Sequence, residues 1–93
     1  MLGACSDDNT TPRLLVSASP NPSASDFTIS LKGGNPEVKR SMRVVDVFGR
    51  TVEQKDNLGS SIFRMGQNYR PGIYFVMITE EGNDCVVVTL LKL

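Results

Sequence analysis

Apolar and polar residues alternate along most of this chain, in short runs separated by glycine, proline and asparagine. The clearest run, residues 26–32, places Phe27, Ile29 and Leu31 on one face and polar side chains on the other. A period of two residues predicts a β-strand with one buried face. By the same criterion we predict strands over residues 13–18, 26–32, 41–47, 51–55, 61–65, 72–80 and 84–93.

These strands predict an all-β fold, because no segment shows a helical period and the strands recur about every 10–12 residues. We expect an immunoglobulin-like antiparallel β-sandwich of about seven strands over residues 13–93. The apolar run 72–80 should be its central strand, and Val52 should face the interior. The chain has no tryptophan, so the likeness to immunoglobulin domains concerns architecture only. Residues 1–12 are polar after Leu2, and we expect a flexible N-terminal tail or linker there.

The stretch SASPNPSASDFTISL carries two prolines, Pro20 and Pro22, around Asn21. Proline fixes its own φ, lacks a backbone N–H donor and favours extended geometry in the residue before it. Neither a helix nor a central strand can pass through such a stretch. We therefore expect a stiff, extended crossing between the first two strands.

The sequence DVFGR, residues 46–50, predicts a hairpin turn. Asp46 can accept a hydrogen bond from the backbone two residues on, and Gly49 can adopt the left-handed conformation that follows a type I turn. This position favours a structural role for Asp46 over a catalytic one. Gly82 should serve a similar hairpin between the last two strands.

The composition argues against several classes of function. Ten basic and ten acidic residues give a net charge of zero, which provides no electrostatic case for nucleic acid or an anionic membrane surface. No apolar run approaches the roughly 20 residues of a transmembrane helix. Histidine is absent, and with it the commonest general base and transition-metal ligand. We expect no catalytic residue, metal or cofactor.

The two cysteines, Cys5 and Cys85, lie near opposite ends of the sequence and cannot form a CxxC pair. Cys85 begins a strand, where a buried free thiol is the ordinary interpretation, and a disulfide with Cys5 is the alternative in an oxidising compartment. LGAC before SDD is similar to a lipoprotein cleavage box, but no basic and apolar leader precedes it. We therefore do not expect lipidation of Cys5.

Other side chains that could carry chemistry have simpler explanations. Oxygen donors cluster near the last hairpin and in the tail without the spacing of an EF-hand, so solvated turns are favoured over calcium sites. Four aromatic residues could form an exposed platform for sugar, but a chain with 2 tyrosines and 4 phenylalanines needs most of them in its core. The oxygen donors are Glu80, Glu81, Asn83, Asp84, Asp7, Asp8 and Asn9, and the aromatic residues are Phe48, Phe63, Tyr69 and Tyr74.

Four segments in order are more informative than any one of them: ASPNPSASDFTISL, MRVVDVFGRTV, RPGIYFVMI and VVVTLLKL. Together they resemble the type A C-terminal sorting domain of the type IX secretion system of Bacteroidetes, over about residues 14–93. The loop before Gly72 is about one residue longer than the family pattern, with Tyr69 where a leucine is common. The residues that match the pattern are Pro20, Asn21, Pro22, Asp46, Gly49, Arg50, Gly72, Tyr74, Phe75, Val88, Leu90 and Lys92.

The resemblance implies a secretion signal and no enzymatic activity. Such a domain directs an attached N-terminal cargo from the periplasm across the outer membrane to the cell surface or the medium. An outer-membrane translocon and its shuttle protein recognise it, and a surface sortase cuts upstream of it. In this chain we expect the cut within about Ala4 to Thr11, because a protease needs an exposed, flexible strand.

The residues suggest one mechanism of recognition and leave other functions open. If the last strand lies at a sheet edge, it offers a template for a partner strand, with Lys92 as a fixed positive charge. Exposed edges would also permit a homodimer. The alternative functions are an immunoglobulin-like adhesin or carbohydrate-binding accessory module of an extracellular protein, and a structural spacer beside an extracellular enzyme.

Overall fold

The computed structural model describes residues 14–34, 37–81 and 85–93. Strands occupy much of this part of the chain, and none of the described residues is helical. No observed strand boundary differs from the predicted one by more than one residue. The strands are β1 (Leu14–Ser19), β2 (Phe27–Gly33), β3 (Arg40–Asp46), β4 (Thr51–Lys55), β5 (Ile62–Met65), β6 (Gly72–Glu80) and β7 (Cys85–Lys92).

The strands form two antiparallel sheets. One sheet has the order β1-β2-β5 and the other the order β4-β3-β6-β7, and every neighbouring pair is antiparallel. β6 lies between β3 and β7, as its apolar sequence predicts. The structure confirms the predicted all-β, immunoglobulin-like sandwich of seven strands.

The interior consists of the alternate residues that face inward from each sheet. Phe27, Ile29 and Leu31 of β2 are buried, as their period predicts. Burying a side chain of this size stabilises the fold by roughly 1.5–3 kcal/mol, so the alternation determines which face of each strand lies inside. From the other sheet the core includes Met42, Val44, Tyr74, Val76, Ile78 and Leu90.

The prediction that Val52 faces the interior is wrong. Its side chain is 42% exposed, and Glu53 instead lies opposite the buried Val44. The register shifts between Val44 and Val45, which is a β-bulge. A shift of one residue exchanges the two faces of a strand, and bulges are common at sheet edges, where β4 lies.

A buried ion pair closes the end of the sandwich where β3 begins and β6 ends, which we call the far end. Arg40 and Glu80 are paired across these two strands. Arg40 Nε donates to Glu80 Oε2 at 3.0 Å, and Arg40 Nη2 donates to Gly33 O at 2.9 Å. Gly34 has a φ of +67°, and a Cβ at this position would overlap the Glu80 carboxylate. Both the backbone conformation and the space at residue 34 therefore require glycine.

The interpretation of Glu80 as a solvated oxygen donor is wrong. The residue is 1% exposed, and Arg40 neutralises its charge, because a buried carboxylate needs a partner. Glu81 is exposed, and its N–H donates to Lys39 O at 2.8 Å. The other predictions for oxygen donors and for the last hairpin lie outside the described residues, as does the tail: they concern Gly82, Asn83, Asp84, Asp7, Asp8, Asn9 and residues 1–12.

Candidate functional site

The four segments that resemble a sorting domain meet at one end of the sandwich. Asp46, the last residue of β3, is paired with Tyr74 of β6. Gly72 is paired with Lys92 of β7, and Lys92 forms a parallel bridge with Ser23. We call this end, formed by residues 20–25, 46–50, 66–72 and 89–93, the motif end. Segments distant in sequence thus form one surface.

Asn21 uses its side chain as a short substitute for a β-strand. β7 is an edge strand whose neighbour in the sheet is β6. Asn21 Nδ2 donates to Thr89 O at 2.8 Å, and the Leu91 N–H donates to Asn21 Oδ1 at 2.9 Å. Ser23 continues the row: its N–H donates to Leu91 O at 3.0 Å, and the Leu93 N–H donates to its carbonyl at 2.9 Å. Asn21 and Ser23 thus contribute four hydrogen bonds that tie the β1–β2 connection to the end of β7.

The β1–β2 connection carries the chain from one sheet to the edge of the other and back. Ser19 ends β1, and the peptide bonds that precede Pro20 and Pro22 are both cis. The sequence predicts the crossing but not these cis bonds. The expectation that the last strand offers a free edge needs correction over Thr89 to Leu93, because Asn21 and Ser23 already occupy that stretch.

Lys92 lies inside the motif end and is 5% exposed. Its Nζ donates to Gly66 O at 2.6 Å, to Gln67 O at 3.1 Å and to Ser25 O. An ammonium group has three donors and no acceptor, so these carbonyls satisfy it. The side chain therefore fastens the β1–β2 connection and the β5–β6 loop to the end of β7. The sequence analysis predicts a fixed positive charge at Lys92, and the structure places this charge inside the motif end.

Asp46 organises the β3–β4 turn, as DVFGR predicts. Its Oδ1 accepts from the N–H groups of Phe48 at 2.9 Å and Arg50 at 3.0 Å, and its Oδ2 accepts from Arg50 Nε at 2.8 Å. Gly49 has a φ of +82°, and its N–H donates to Asp46 O. Desolvation raises the pKa of Asp46, but the hydrogen bonds from Arg50 and Phe48 outweigh it and hold this pKa below its usual value. These contacts give Asp46 a structural role in the β3–β4 turn.

Tyr69 and Tyr74 connect the β5–β6 loop to the sandwich, with 4.7 Å between their ring centroids. Tyr74 OH donates to Arg70 O at 2.7 Å, and Tyr69 OH donates to Glu53 Oε1 at 2.6 Å. Desolvation, together with the Glu53 carboxylate, raises the pKa of Tyr69, so its hydroxyl remains a donor. Since Tyr74 is buried and Tyr69 half-buried, these rings do not join Phe48 in an exposed platform for sugar.

The surface of the motif end carries exposed apolar side chains and the exposed Arg50 and Arg70. Phe48, at the turn, is 79% exposed, and the Arg50 guanidinium lies 5.2 Å from its ring centroid. Ile73 and Leu91 are cross-strand neighbours and, like Leu93, are exposed. Exposed apolar side chains grouped in this way are typical of a protein contact site.

The residues that match the sorting pattern divide into two sets by exposure. Exposed side chains can touch a partner, whereas buried ones act through the fold that they hold together. The exposed set is Pro20, Asn21, Pro22, Gly49 and Arg50, and the partly or fully buried set is Asp46, Gly72, Tyr74, Phe75, Val88, Leu90 and Lys92.

The described ranges also bear on three other possibilities: a metal site, a membrane-spanning helix and a free cysteine. No group of three or more histidine, cysteine, aspartate or glutamate side chains there could hold a metal ion. The same residues contain no helix with the length and hydropathy needed to cross a membrane. Cys85 is buried and disulfide-bonded, so the expectation of a free thiol is wrong. Cys5 lies outside the described residues.

The segments that meet at the motif end lie almost entirely within the match to a known protein family. A family model described as a secretion system C-terminal sorting domain matches residues 17–91. The chain belongs to this family. The match includes Pro20 to Pro22, Asp46 to Arg50 and Gly72 to Phe75, and it ends one residue before Lys92. It confirms the resemblance to the sorting domain of the type IX secretion system, which is an export signal on a cargo protein.

One curated relative of the sorting domain is an endo-acting ulvan lyase from Formosa agariphila. The two sequences are 30% identical over 79 residues, which is 84% of this chain and 15% of the lyase. The sorting domain thus spans about 15% of the length of this relative.

Two further residues hold the motif end together in ways that the sequence does not predict. Ser23 belongs to the stretch SASPNPSASDFTISL, but no local signal indicates that its backbone forms the bridge to β7. Gly66 has a φ of +81°, a Cβ there would lie 2.9 Å from Phe27 Cδ2, and its carbonyl accepts from Lys92. A glycine after a strand signals a turn, but no local signal connects it with a lysine 26 residues away.

Proposed function

We propose that this sorting domain is an export address whose motif end is recognised by an outer-membrane translocon and its shuttle protein. The observation that carries the proposal is the convergence of the four sorting segments on one surface. A single partner can contact scattered residues only where the fold brings them together. On this account the domain is a substrate of other proteins and does no catalysis.

The cargo is attached on the N-terminal side of the sorting domain. The comparison supports this arrangement, because the related lyase is a much longer protein of which the domain matches 15%. We propose that the cargo passes through the periplasm to the cell surface or the medium, and that a surface sortase cuts within residues 4–11. That stretch is polar in sequence and lies outside the described residues.

The exposed and buried residues of the motif end have different parts in this proposal. Phe48 and Arg50 present the apolar and charged surface that a partner contacts. Lys92, Tyr74 and Leu90 hold that surface together from inside. Deleting residues 89–93 would remove a core residue, the Lys92 ammonium and the partners of Asn21 at once. Point substitutions therefore separate recognition from folding better than truncation does.

The direct test is export of a reporter. Residues 1–93 are fused behind a fluorescent protein that carries a signal peptide, in a host with the type IX system and in the same host without its translocon. We expect fluorescence at the surface in the first host and in the periplasm in the second. Equal surface fluorescence in both hosts, or none in either, would contradict the proposal.

A binding assay separates the proposal from the adhesin alternative. The chain is applied to a glycan array and titrated with calcium. Export by the type IX system without glycan or calcium binding supports a sorting role. Glycan binding combined with export that does not need the translocon would favour the accessory module.

A further inference from the structure

The outer edge of β7 has a stretch whose backbone groups make no hydrogen bond to the described residues, followed by a stretch that the chain covers itself. Thr89, Leu91 and Leu93 direct backbone groups outward, to Asn21 and Ser23. The backbone groups of alternate strand residues point in the same direction, so the N–H and C=O of Val87 also point outward. None of the described residues forms a hydrogen bond with the Thr89 N–H or with the backbone of Val87 on this side. Unpaired backbone groups along an edge form a template for another strand.

We propose that an extended segment of a protein partner adds as a strand to the outer edge of β7 from Val87 to Leu91, which we call the docking line. In the free domain the Asn21 side chain occupies Thr89 O and the Leu91 N–H, and the partner displaces it. The inference rests on the proposed function, because the partner is the component of the secretion machinery that recognises the motif end. Ser23 ends the line and sets its register.

The hydrogen bonds of Asn21 are of the kind that a strand would make. Its amide copies the N–H and C=O of one strand residue, which point to the same side, and it donates to Thr89 O and accepts from the Leu91 N–H. An incoming strand would replace both bonds one for one and add bonds to the Thr89 N–H and to Val87. Strand addition of this kind derives its affinity from the main chain and its specificity from neighbouring side chains. The exposed Leu91 and Ile73 lie beside the line for that purpose.

Asn21 and Ser23 differ in how firmly they are held. Ser23 is buried, its Oγ donates to Asp26 O at 2.7 Å, and the Ser25 N–H donates to that Oγ at 3.1 Å. Asn21 is exposed, and both of its hydrogen bonds to β7 lie at the surface. It can therefore leave while Ser23 stays. The flanking prolines cannot donate from their backbone, so the cover cannot extend into a longer strand.

The direction of the existing bridge favours a different chain over a second copy. Ser23 and Lys92 are bridged in parallel, so the covered part of the edge already takes a parallel segment. Two copies related by a twofold axis across the edge would meet with their β7 strands antiparallel. The occupant that fits the bridge is an extended segment of another protein, and a β7–β7 dimer is a distinguishable outcome.

Two substitutions with opposite expected effects test the inference in the reporter fusion. Thr89→Pro removes the outward N–H and is compatible with an edge strand, where proline is tolerated when its position faces away from the ladder. We expect it to lower surface fluorescence about tenfold or more, as loss of a docking bond with steric blockage would. Asn21→Ala removes the substitute, and we expect surface fluorescence at or above that of the unaltered chain. Gly59→Ala, where an added Cβ meets nothing within 4 Å, is the control.

Thermal unfolding of each purified variant accompanies the export assay, and sedimentation gives its oligomeric state. Folded Thr89→Pro with unchanged export overturns the inference, and so does folded Asn21→Ala with reduced export, because Asn21 would then be recognised directly. A dimer formed by Asn21→Ala would replace the partner with a second copy. If Thr89→Pro does not fold, the Asn21→Ala result decides. Failure of the unaltered chain to be exported would instead overturn the proposed function.

Discussion

Replacing Lys92 with methionine tests whether its ammonium holds the motif end together. The substitution keeps a long, unbranched side chain and removes the charge and all three donors. The carbonyls of Ser25, Gly66 and Gln67 then lose the group that joins them. Both connections that these carbonyls belong to lose their attachment to β7.

The expected magnitude follows from two opposing contributions. A hydrogen bond to a charged group contributes about 1.5–3 kcal/mol, and a buried carbonyl left without a donor costs about 1–3 kcal/mol. Against this, burying an ammonium costs several kcal/mol that methionine avoids. The net effect of three such bonds is therefore smaller than their sum. We expect Lys92→Met to lower the free energy of unfolding by about 3 kcal/mol, and Tm by about 12–24 °C in a domain of this size.

Urea and thermal unfolding followed by circular dichroism measure this change. Lys55→Met is the matched control, because Lys55 is exposed on β4 and its replacement should stay within about 0.5 kcal/mol. Lys92→Arg should also destabilise the domain, since a planar guanidinium does not match a site built for a compact ammonium. If Lys92→Met is as stable as Lys55→Met, the ammonium does not hold the loops. Stable protein with lost export would mean that a partner contacts Lys92 itself.

Three further predictions test other parts of the structure. Gly34→Ala should lower the free energy of unfolding by about 2–3 kcal/mol, measured with urea, because residue 34 has a positive φ and a Cβ would overlap Glu80. The control Gly59→Ala should change this free energy by under about 0.5 kcal/mol. Equal effects of the two substitutions would contradict the far-end geometry. Because folding lowers the pKa of Asp46, the contribution of this carboxylate to stability is present above about pH 4 and is lost as pH falls through the folded-state pKa. An NMR titration of the Asp46 carboxyl should give a midpoint below about 3.9. A higher midpoint would contradict the turn contacts. Tyr74→Phe removes the donor to Arg70 O and should cost about 1 kcal/mol; unchanged thermal unfolding would show that this hydrogen bond is not stabilising.

The sequence predicts the features of this fold that depend on local order. The alternation of Phe27, Ile29 and Leu31 determines both the strand and its buried face. Asp46 and Gly49 predict a turn because the hydrogen bonds involved join residues within four positions of each other. Such signals are complete within a few residues, so strand boundaries and one hairpin follow from them.

Features that depend on distant residues do not follow from the same signals. The Glu80 carboxylate is assigned to a solvated turn in sequence, because its partner Arg40 is 40 residues away. The cage around Lys92 joins residues separated by 25 to 67 positions. The bulge that turns Val52 outward is a property of the pairing of two strands. The ordered motifs predict which segments belong to the sorting pattern, and the tertiary structure shows which of their residues are buried.

Export of reporter fusions altered at opposite ends of the sandwich tests the central claim, that the motif end is the recognised surface. One fusion carries Phe48→Ser with Arg50→Ser at the motif end, and the other carries Lys39→Ser with Glu81→Ser at the far end, all at exposed positions. With unfolding temperatures matched, the account predicts about a tenfold loss of surface fluorescence for the first pair and none for the second. Unchanged export of the motif-end pair, or a loss confined to the far-end pair, would contradict it.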